Sequence, residues 1–209
     1  MSDGTEKIKK QTLRGNILLL GDSSVGKTSM LNRYISNTFQ ENTVTTLGLV
    51  NLSKAFSFKN HTFRVHFFDT AGQERFNSVC ESWILKSNGV MLVFDITNND
   101  SFHRVKYWFN QIQECSVEDI PKVLIANKSD LEDDRAVALE DCATLANEIK
   151  CTYEEVSAKT GNNIESTFDN FVKCVFKAML SKDDGVGETT FILSQKNELT
   201  NDDNSKTCC

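Results

Sequence analysis

Residues 16–28, NILLLGDSSVGKT, carry the strongest structural signal in the chain. The run Asn16–Leu20 is almost wholly apolar and stops at a glycine, which predicts a strand buried on both faces. The following segment, Lys27–Ser36, places its apolar side chains at helical spacing. Between the two, residues 21–28 match the pattern G-x-x-x-x-G-K-[ST] at every position. A buried strand, a glycine-containing loop and a helix in this order are typical of a phosphate-binding loop.

Each part of this loop has a chemical task. The glycines let the backbone curl, so that its N–H groups converge on phosphate oxygens at the start of the helix. The Lys27 ammonium would bring a positive charge to the β- and γ-phosphates, and the Thr28 hydroxyl would be a ligand for Mg²⁺. A chance glycine turn is the alternative, and the matching strand and helix argue against it. We therefore predict nucleotide contacts at Ser23, Ser24, Val25, Gly26, Lys27, Thr28 and Ser29.

Outward from this loop, strand and helix patterns alternate along the chain. The pattern predicts strands at 16–20, 52–58, 63–69, 90–95, 122–127 and 152–157, and helices at 27–36, 77–86, 101–114, 139–149 and 164–180. We expect an α/β fold with a six-stranded, mostly parallel sheet, one antiparallel hairpin strand and about five helices on both faces. Residues 14–180 form the single predicted domain, after a flexible lead-in at 1–13 and before a disordered acidic tail at 181–209.

Composition excludes several classes of protein. The chain has 209 residues, and 23 Lys+Arg against 29 Asp+Glu give a net charge of −6, so no basic field favours nucleic acid. No apolar run approaches the ~20 residues that a membrane-spanning helix needs. The first residues lack a basic-then-apolar pattern, so no secretory signal is expected. The seven cysteines are odd in number and form no C-x-x-C pair, which favours reduced thiols.

A second motif, Asn127-Lys128-Ser129-Asp130, follows the predicted strand 122–127. Guanine presents N1–H and N2–H₂ donors along one edge, and the Asp130 carboxylate can accept both of these hydrogen bonds. Adenine presents the opposite polarity, so the wrong base would leave polar groups unpaired. Parallel strands end at one edge of a sheet, so this motif can meet the phosphate loop over one ligand. The pair of motifs therefore predicts a guanine nucleotide.

A third motif, DTAGQERF at residues 69–76, follows another strand at the same edge. Asp69 can hold Mg²⁺ through a water molecule, and the Gly72 N–H can bind a terminal phosphate. Gln73 can orient the water that attacks it. The alternative is an aspartate that caps the next helix, followed by a polar turn. The predicted catalytic residues are therefore Lys27, Gly72 and Gln73.

Together these motifs resemble a small GTPase of the Ras superfamily, of the Rab type. The resemblance covers about residues 14–180, nearly all of the predicted domain. Besides the three motifs, it rests on residues 92–97 (LVFDIT), Ser101-Phe102 with Trp108, and Ser157-Ala158-Lys159.

The resemblance assigns further site residues. It implies that Thr46, 19 positions after Lys27, caps Mg²⁺ and the γ-phosphate, which makes Thr28, Thr46 and Asp69 the metal set. It implies that Phe39 packs against the guanine and that Lys128 flanks the ring. It also implies that Ser157, Ala158 and Lys159 border the base, with the Ala158 N–H on the base oxygen. Without the resemblance, Phe39 would be a core residue and Lys159 a solvated charge.

The chain ends in Cys208-Cys209, which matches the double cysteine that Rab proteins carry for geranylgeranylation. Lys206 occupies the fourth position from the end, so the single-lipid C-a-a-X pattern does not apply. One lipid gives only marginal membrane binding, and residues 181–209, with 3 Lys against 6 Asp+Glu, add no basic signal. Two lipids are therefore expected. A vicinal disulfide or a pair of unmodified thiols is the alternative.

The resemblance implies a Mg²⁺-dependent GTP switch that regulates vesicle traffic through effectors. It implies slow hydrolysis without an activating protein, and also an exchange factor and a dissociation inhibitor. The expected location is the cytoplasmic face of an intracellular membrane, with a cytosolic pool.

The chain departs from the Rab pattern at residues 47–51 (LGLVN), at Phe68 and at residues 83–86 (WILK). These departures leave a guanine-nucleotide-binding scaffold with negligible hydrolysis as an alternative. An ATP-dependent enzyme using the same phosphate loop is disfavoured by Asp130.

Overall fold

Strands and helices alternate along the residues that the computed structural model describes, which are 11–41, 50–69, 77–115, 119–184 and 194–195. The strands are β1 (Gln11–Leu20), β2 (Val50–Phe58), β3 (His61–Asp69), β4 (Gly89–Asp95), β5 (Lys122–Asn127), β6 (Thr152–Glu155) and β7 (Ser194–Gln195). The α-helices are α1 (Lys27–Ser36), α2 (Asn77–Ile84), α3 (Asn99–His103), α4 (Val105–Cys115), α5 (Leu139–Glu148) and α6 (Ile164–Asp184).

All of these strands join one sheet in the order β6-β5-β4-β1-β3-β2-β7. The pairs from β6 across to β3 are parallel, whereas β2 runs antiparallel to β3 as the second arm of a hairpin. The predicted fold class, with six mostly parallel strands and one antiparallel hairpin strand, is confirmed. The crossover helices of such a sheet cover both of its faces, and its carboxyl edge is left open for ligands.

The two faces of β1 belong to two separate hydrophobic clusters. Ile17 and Leu19 pack in a cluster with side chains of α1 and α6, which include Met30, Leu31, Phe168, Val172 and Phe176. Leu18 and Leu20 pack in the cluster on the opposite face, with side chains of α4 and α5 such as Trp108, Ile112 and Leu145. Burial on both faces is the reason that β1 reads as a continuous apolar run instead of an alternating one.

Several element boundaries differ from the prediction. β1 begins at Gln11, inside the predicted lead-in, because its first residues pair by backbone hydrogen bonds with His61–Arg64 and need no apolar side chains. The helix predicted at 101–114 is the pair α3 and α4, which gives five helical regions. β6 stops at Glu155, short of the predicted residue 157.

The predicted disordered tail also contains regular structure at two places. α6 continues past residue 180 to Asp184. β7 pairs antiparallel with Phe56 and Ser57 on the outer edge of β2, where unpaired backbone groups accept another strand. No helix among the described residues is long and apolar enough to cross a lipid bilayer.

Candidate nucleotide-binding site

The candidate site lies at the carboxyl edge of the sheet. The phosphate loop follows β1, Asp69 ends β3, Asp95 ends β4 and Asn127 ends β5. These four strands are parallel neighbours, in the order β5-β4-β1-β3. Their carboxyl ends therefore bring motifs from distant parts of the sequence to one edge.

Two glycines of the phosphate loop are required by close backbone approaches. A Cβ atom on Gly21 would lie 2.1 Å from the carbonyl oxygen of Val93, and one on Gly26 would lie 2.3 Å from the Asn127 amide nitrogen. Gly26 has a positive φ of 94° and occupies the N-cap position of α1. Any larger residue at either position would push the loop away from β4 or β5.

Lys27 begins α1 and is almost wholly buried, with 3% of its surface exposed. Its Nζ donates hydrogen bonds to the carbonyl oxygens of Gly21, at 2.6 Å, and Asp22, at 2.7 Å. The ammonium is thus held against the loop that precedes it, beside the N-terminus of α1. Both features are positive, so this end of the site favours anions.

Thr28 and Asp69 meet across the site although they lie 41 residues apart. The Thr28 hydroxyl donates a short hydrogen bond to Oδ2 of Asp69, whose side chain is fully buried at the end of β3. A hydroxyl and a carboxylate are oxygen ligands of the kind that Mg²⁺ prefers. The donor set therefore fits the metal that the sequence predicts here.

Asn127 links the phosphate loop to the loop after β6. Its Nδ2 donates to the Val25 carbonyl oxygen at 2.8 Å, and its Oδ1 accepts from the Ala158 backbone N–H at 3.2 Å. The Ala158 N–H, which the resemblance assigns to the base oxygen, thus has a protein partner in this structure. Nearby, Oδ1 of the exposed Asp130 accepts from the Ser157 hydroxyl at 2.5 Å.

Lys128 stands in the left-handed region with a φ of 68°. Its Nζ lies 2.5 Å from Oδ2 of Asp95, whose other oxygen accepts hydrogen bonds from the Thr97 N–H and hydroxyl. The buried carboxylate of β4 therefore fixes the direction of the Lys128 side chain at the rim of the site.

Two further residues were assigned by resemblance: Phe39, which follows α1, and Lys159, which lies in the loop after β6. Phe39 is partly buried and packs against the cluster that contains α1. Lys159 is exposed, and its Nζ lies 3.2 Å from Oε1 of Glu41. The predicted site residues Thr46, Gly72 and Gln73, and the predicted lipidation sites Cys208 and Cys209, lie outside the described residues.

Sequence reasoning missed a polar link from the helices to the phosphate loop. Oδ1 of Asp22 accepts hydrogen bonds from Arg104 Nε at 2.8 Å and from Trp108 Nε1 at 3.2 Å. Asp22 occupies a free position of the loop pattern, and its partners lie 82 and 86 residues away. No local pattern could have indicated this contact, which braces the loop against the start of α4.

Phe68, which is buried, and Trp83, which is partly buried, form an aromatic pair in the hydrophobic cluster that also contains side chains of α4 and α5. Phe68 of β3 and Trp83 of α2 have ring centroids 4.5 Å apart, and Asn51 of β2 lies opposite Phe68 in the strand register. Leu85 follows α2 and is 62% exposed. The positions at which the sequence departs from the Rab pattern therefore include the buried Phe68 as well as the exposed Leu85.

The sequence is similar to those of several known proteins. A sequence model described as "Ras family" matches residues 16–177. The chain is 32% identical to the GTP-binding protein ypt2 of Schizosaccharomyces pombe, over 92% of this chain and 94% of that protein. It is 33% identical to Ras-related protein RABD2a of Arabidopsis thaliana, over 81% and 83% of the two chains. It is 36% identical to Ras-related protein Rab-11C of Dictyostelium discoideum, over 79% and 74%.

Proposed function

The chain belongs to the Ras family, as a Rab-type small GTPase, and from this premise we propose that it is a Mg²⁺-dependent GTP-hydrolysing switch of vesicle traffic. The observation that carries the proposal is the meeting of three groups at one sheet edge. These groups are the buried Lys27 ammonium, the Thr28–Asp69 oxygen pair and the Asn127–Asp130 loop. They supply phosphate, metal and base recognition respectively.

Base selection falls to Asp130, whose carboxylate would accept from N1–H and N2–H₂ of guanine. Its position at the exposed rim, with one oxygen anchored by Ser157, supports this role. The Ala158 N–H would donate to the base oxygen, either in place of its hydrogen bond to Asn127 or in addition to it. Lys128 and Phe39 would lie against the two faces of the ring.

Thr28, Thr46 and Asp69 would hold Mg²⁺, with phosphate oxygens and water completing its shell. When bound, the ion would neutralise negative charge on the β- and γ-phosphates. The fit rests on the hydroxyl and carboxylate oxygens of Thr28 and Asp69, which the fold places in direct contact.

For hydrolysis, Lys27 and the loop N–H groups would stabilise charge on the transferred phosphoryl group. The Gly72 N–H would bind the γ-phosphate, and Gln73 would orient the attacking water. We infer slow turnover in the isolated protein, because related GTPases gain as much as ~10⁵-fold from an activating protein. Slow hydrolysis would give effectors a timed signal.

We further propose that Cys208 and Cys209 carry two geranylgeranyl groups. The acidic segment before them makes electrostatic binding to an anionic bilayer unfavourable, so the lipids would supply the attachment. The protein would then reside on the cytoplasmic face of an intracellular membrane and exchange with a cytosolic pool. An exchange factor, an activating protein, a dissociation inhibitor and effectors would act on it.

The first test is the nucleotide that copurifies with the protein in the presence of Mg²⁺, released by denaturation and identified by chromatography. GDP or GTP near one molecule per chain is expected. An adenine nucleotide would contradict the role of Asp130. An empty protein that fails to load GTP after chelation of Mg²⁺ would contradict the switch itself.

The departures at residues 47–51 and 83–86 support a second candidate, a scaffold that binds guanine nucleotide with negligible hydrolysis. Single-turnover hydrolysis of bound GTP, with and without cell extract as a source of activator, separates the two functions. Hydrolysis that accelerates with extract supports the switch. GTP that persists under both conditions supports the scaffold.

A further inference from the structure

The guanidinium of Arg33 donates hydrogen bonds to the loop that follows β6. Arg33 lies in the second half of α1, and its Nε donates to the carbonyl oxygen of Ala158 at 2.9 Å. Its Nη2 donates to the carbonyl oxygen of the next residue, Lys159, at 2.7 Å. These partners lie 125 and 126 residues further along the chain. One planar group thus binds two consecutive carbonyls of the loop that borders the base.

The remaining side of the same guanidinium holds the end of α1. Nη1 lies 3.1 Å from both the backbone oxygen and the side-chain Oδ1 of Asn37. Asn37 adopts the left-handed conformation that ends the helix, and its N–H donates back to the Arg33 carbonyl. The Arg33 Cζ also lies 6.0 Å from the centroid of the Phe39 ring. Arg33 therefore joins the segment leading to Phe39 with the loop at 158–159.

These contacts hold both backbone polar groups of Ala158, which belong to the two successive peptide groups on either side of its Cα atom. Its N–H is held by Asn127 and its carbonyl by Arg33. The helix that carries Arg33 begins at Lys27 and Thr28, at the phosphate end of the site. A single rigid helix therefore sets the spacing between the phosphate contacts and the backbone N–H at the base end.

We propose that Arg33 is a positioning residue for guanine recognition, acting on the oxygen O6 of the base through the backbone of Ala158. This inference rests on the proposed guanine site. It assigns to Arg33 the positioning of the Ala158 N–H that would contact O6, and leaves to Asp130 the N1–H and N2–H₂ contacts. The flat, forked shape of the side chain suits this geometry, because Nε, Nη1 and Nη2 donate in different directions, whereas an ammonium donates from a single nitrogen atom.

The test compares affinities for three diphosphates at constant Mg²⁺: GDP, 6-thio-GDP and IDP. In 6-thio-GDP a weaker acceptor replaces O6 while N1–H and N2–H₂ remain, whereas IDP keeps O6 and lacks the 2-amino group. In Arg33→Gln we expect the preference for GDP over 6-thio-GDP to fall about 3- to 10-fold, the value of one hydrogen bond. The preference for GDP over IDP should stay within about twofold of the wild type, since Asp130 is untouched.

Arg33→Lys is the second variant, because it keeps the charge and the apolar stem and should therefore disturb the fold less than glutamine does. It should lose the preference for GDP over 6-thio-GDP as Arg33→Gln does. Ile112→Val is the matched control: it weakens the cluster on the opposite face of the sheet, so stability falls while both preferences stay at wild-type values.

The possible outcomes test the role of Arg33 separately from the proposed function. Selective loss of the O6 preference in both arginine variants supports the inference. Unchanged preferences, an equal fall of both, or wild-type selectivity in Arg33→Lys would overturn it while leaving the guanine site in place. A wild-type protein that binds none of the three diphosphates would overturn the proposed function together with this inference.

Discussion

The side-chain amide of Asn127, at the end of β5, donates a hydrogen bond to the Val25 carbonyl oxygen inside the phosphate loop across 2.8 Å. The two residues lie 102 positions apart in sequence. Asn127 is only 1% exposed and also accepts from the Ala158 N–H. One buried amide therefore connects the phosphate loop with the loop after β6, which we propose borders the base.

Removal of this amide should loosen both ends of the nucleotide site. Asn127→Ala loses two hydrogen bonds worth about 1 kcal/mol each and leaves buried polar groups unpaired. We expect GDP release to accelerate by roughly 10- to 100-fold, measured with a fluorescent GDP analogue. Asn16→Ala is the control, because Asn16 donates to the Lys86 carbonyl away from the site. Wild-type release rates in Asn127→Ala would contradict the bracing role.

The role of Gln73 predicts a separation of binding from hydrolysis. Gln73→Leu should lose most GTP hydrolysis because leucine cannot orient water, while its affinity for GTP stays near the wild-type value. Single-turnover hydrolysis and equilibrium binding measure the two quantities. Gln111→Leu, a matched change on α4, should keep wild-type turnover. Unchanged hydrolysis in Gln73→Leu would disprove the assigned role.

The terminal cysteines predict the membrane behaviour of the protein. Changing both Cys208 and Cys209 to Ser should move the protein from the membrane pellet to the supernatant of fractionated cells. Each single variant should bind weakly, since one lipid chain gives only marginal attachment. Cys174→Ser, a change at an exposed cysteine of α6, should remain in the pellet. Full membrane binding by the double variant would refute lipidation at these sites.

The hydrogen bond between Tyr34 and Asp169 should make a pH-dependent contribution to stability. Its hydroxyl donates to Oδ1 of Asp169 at 2.6 Å, and its ring stacks on Phe168 with centroids 4.4 Å apart. Tyr34→Phe keeps the ring but leaves Asp169 without this donor, so the free energy of unfolding should fall by about 1–2 kcal/mol at pH 7. Denaturant titration with GDP present would measure this loss.

The sign of the pH effect follows from the direction of the pKa shift. Burial, and then the hydrogen bond to Asp169, raise the pKa of Tyr34 above its ordinary value. The unfolded chain ionises near pH 10, so the advantage of Tyr over Phe is complete below that pH and shrinks above it. If the stability difference between the wild type and Tyr34→Phe grew from pH 9 to pH 11, the assignment of Tyr34 as a buried, neutral hydrogen-bond donor would be contradicted.

Three of the described cysteines, Cys142, Cys151 and Cys174, should differ in reactivity towards an alkylating reagent at pH 8. Burial raises the pKa of Cys151 to about 11, so roughly one thiol in a thousand is ionised. Burial also raises the pKa of Cys142, which is fully buried. Cys174 is exposed and should react first, as peptide mass spectrometry would show. Equal labelling of all three before denaturant is added would contradict their burial.

Much of the fold could be predicted because its signals are local. The phosphate loop, α1 and the hairpin of β2 and β3 each depend on consecutive residues whose spacing, glycines and apolar pattern are sufficient. The predicted strand boundaries were less accurate where backbone pairing, and not an apolar side-chain pattern, forms the strand. The polar start of β1 at Gln11 and the two-residue β7 form through backbone hydrogen bonds that carry no side-chain signature.

The sequence by itself therefore determined the fold class, the family and the residue types at the positions that we propose bind phosphate, metal and base. Tertiary structure alone decided how those groups are held. The contacts of Asn127 with Val25, Arg33 with Ala158 and Asp22 with Arg104 join residues between 82 and 125 positions apart. The residue type determines which hydrogen bonds a side chain can make. Which partner it finds depends on how the strands and helices pack together, and this packing is a property of the whole folded chain.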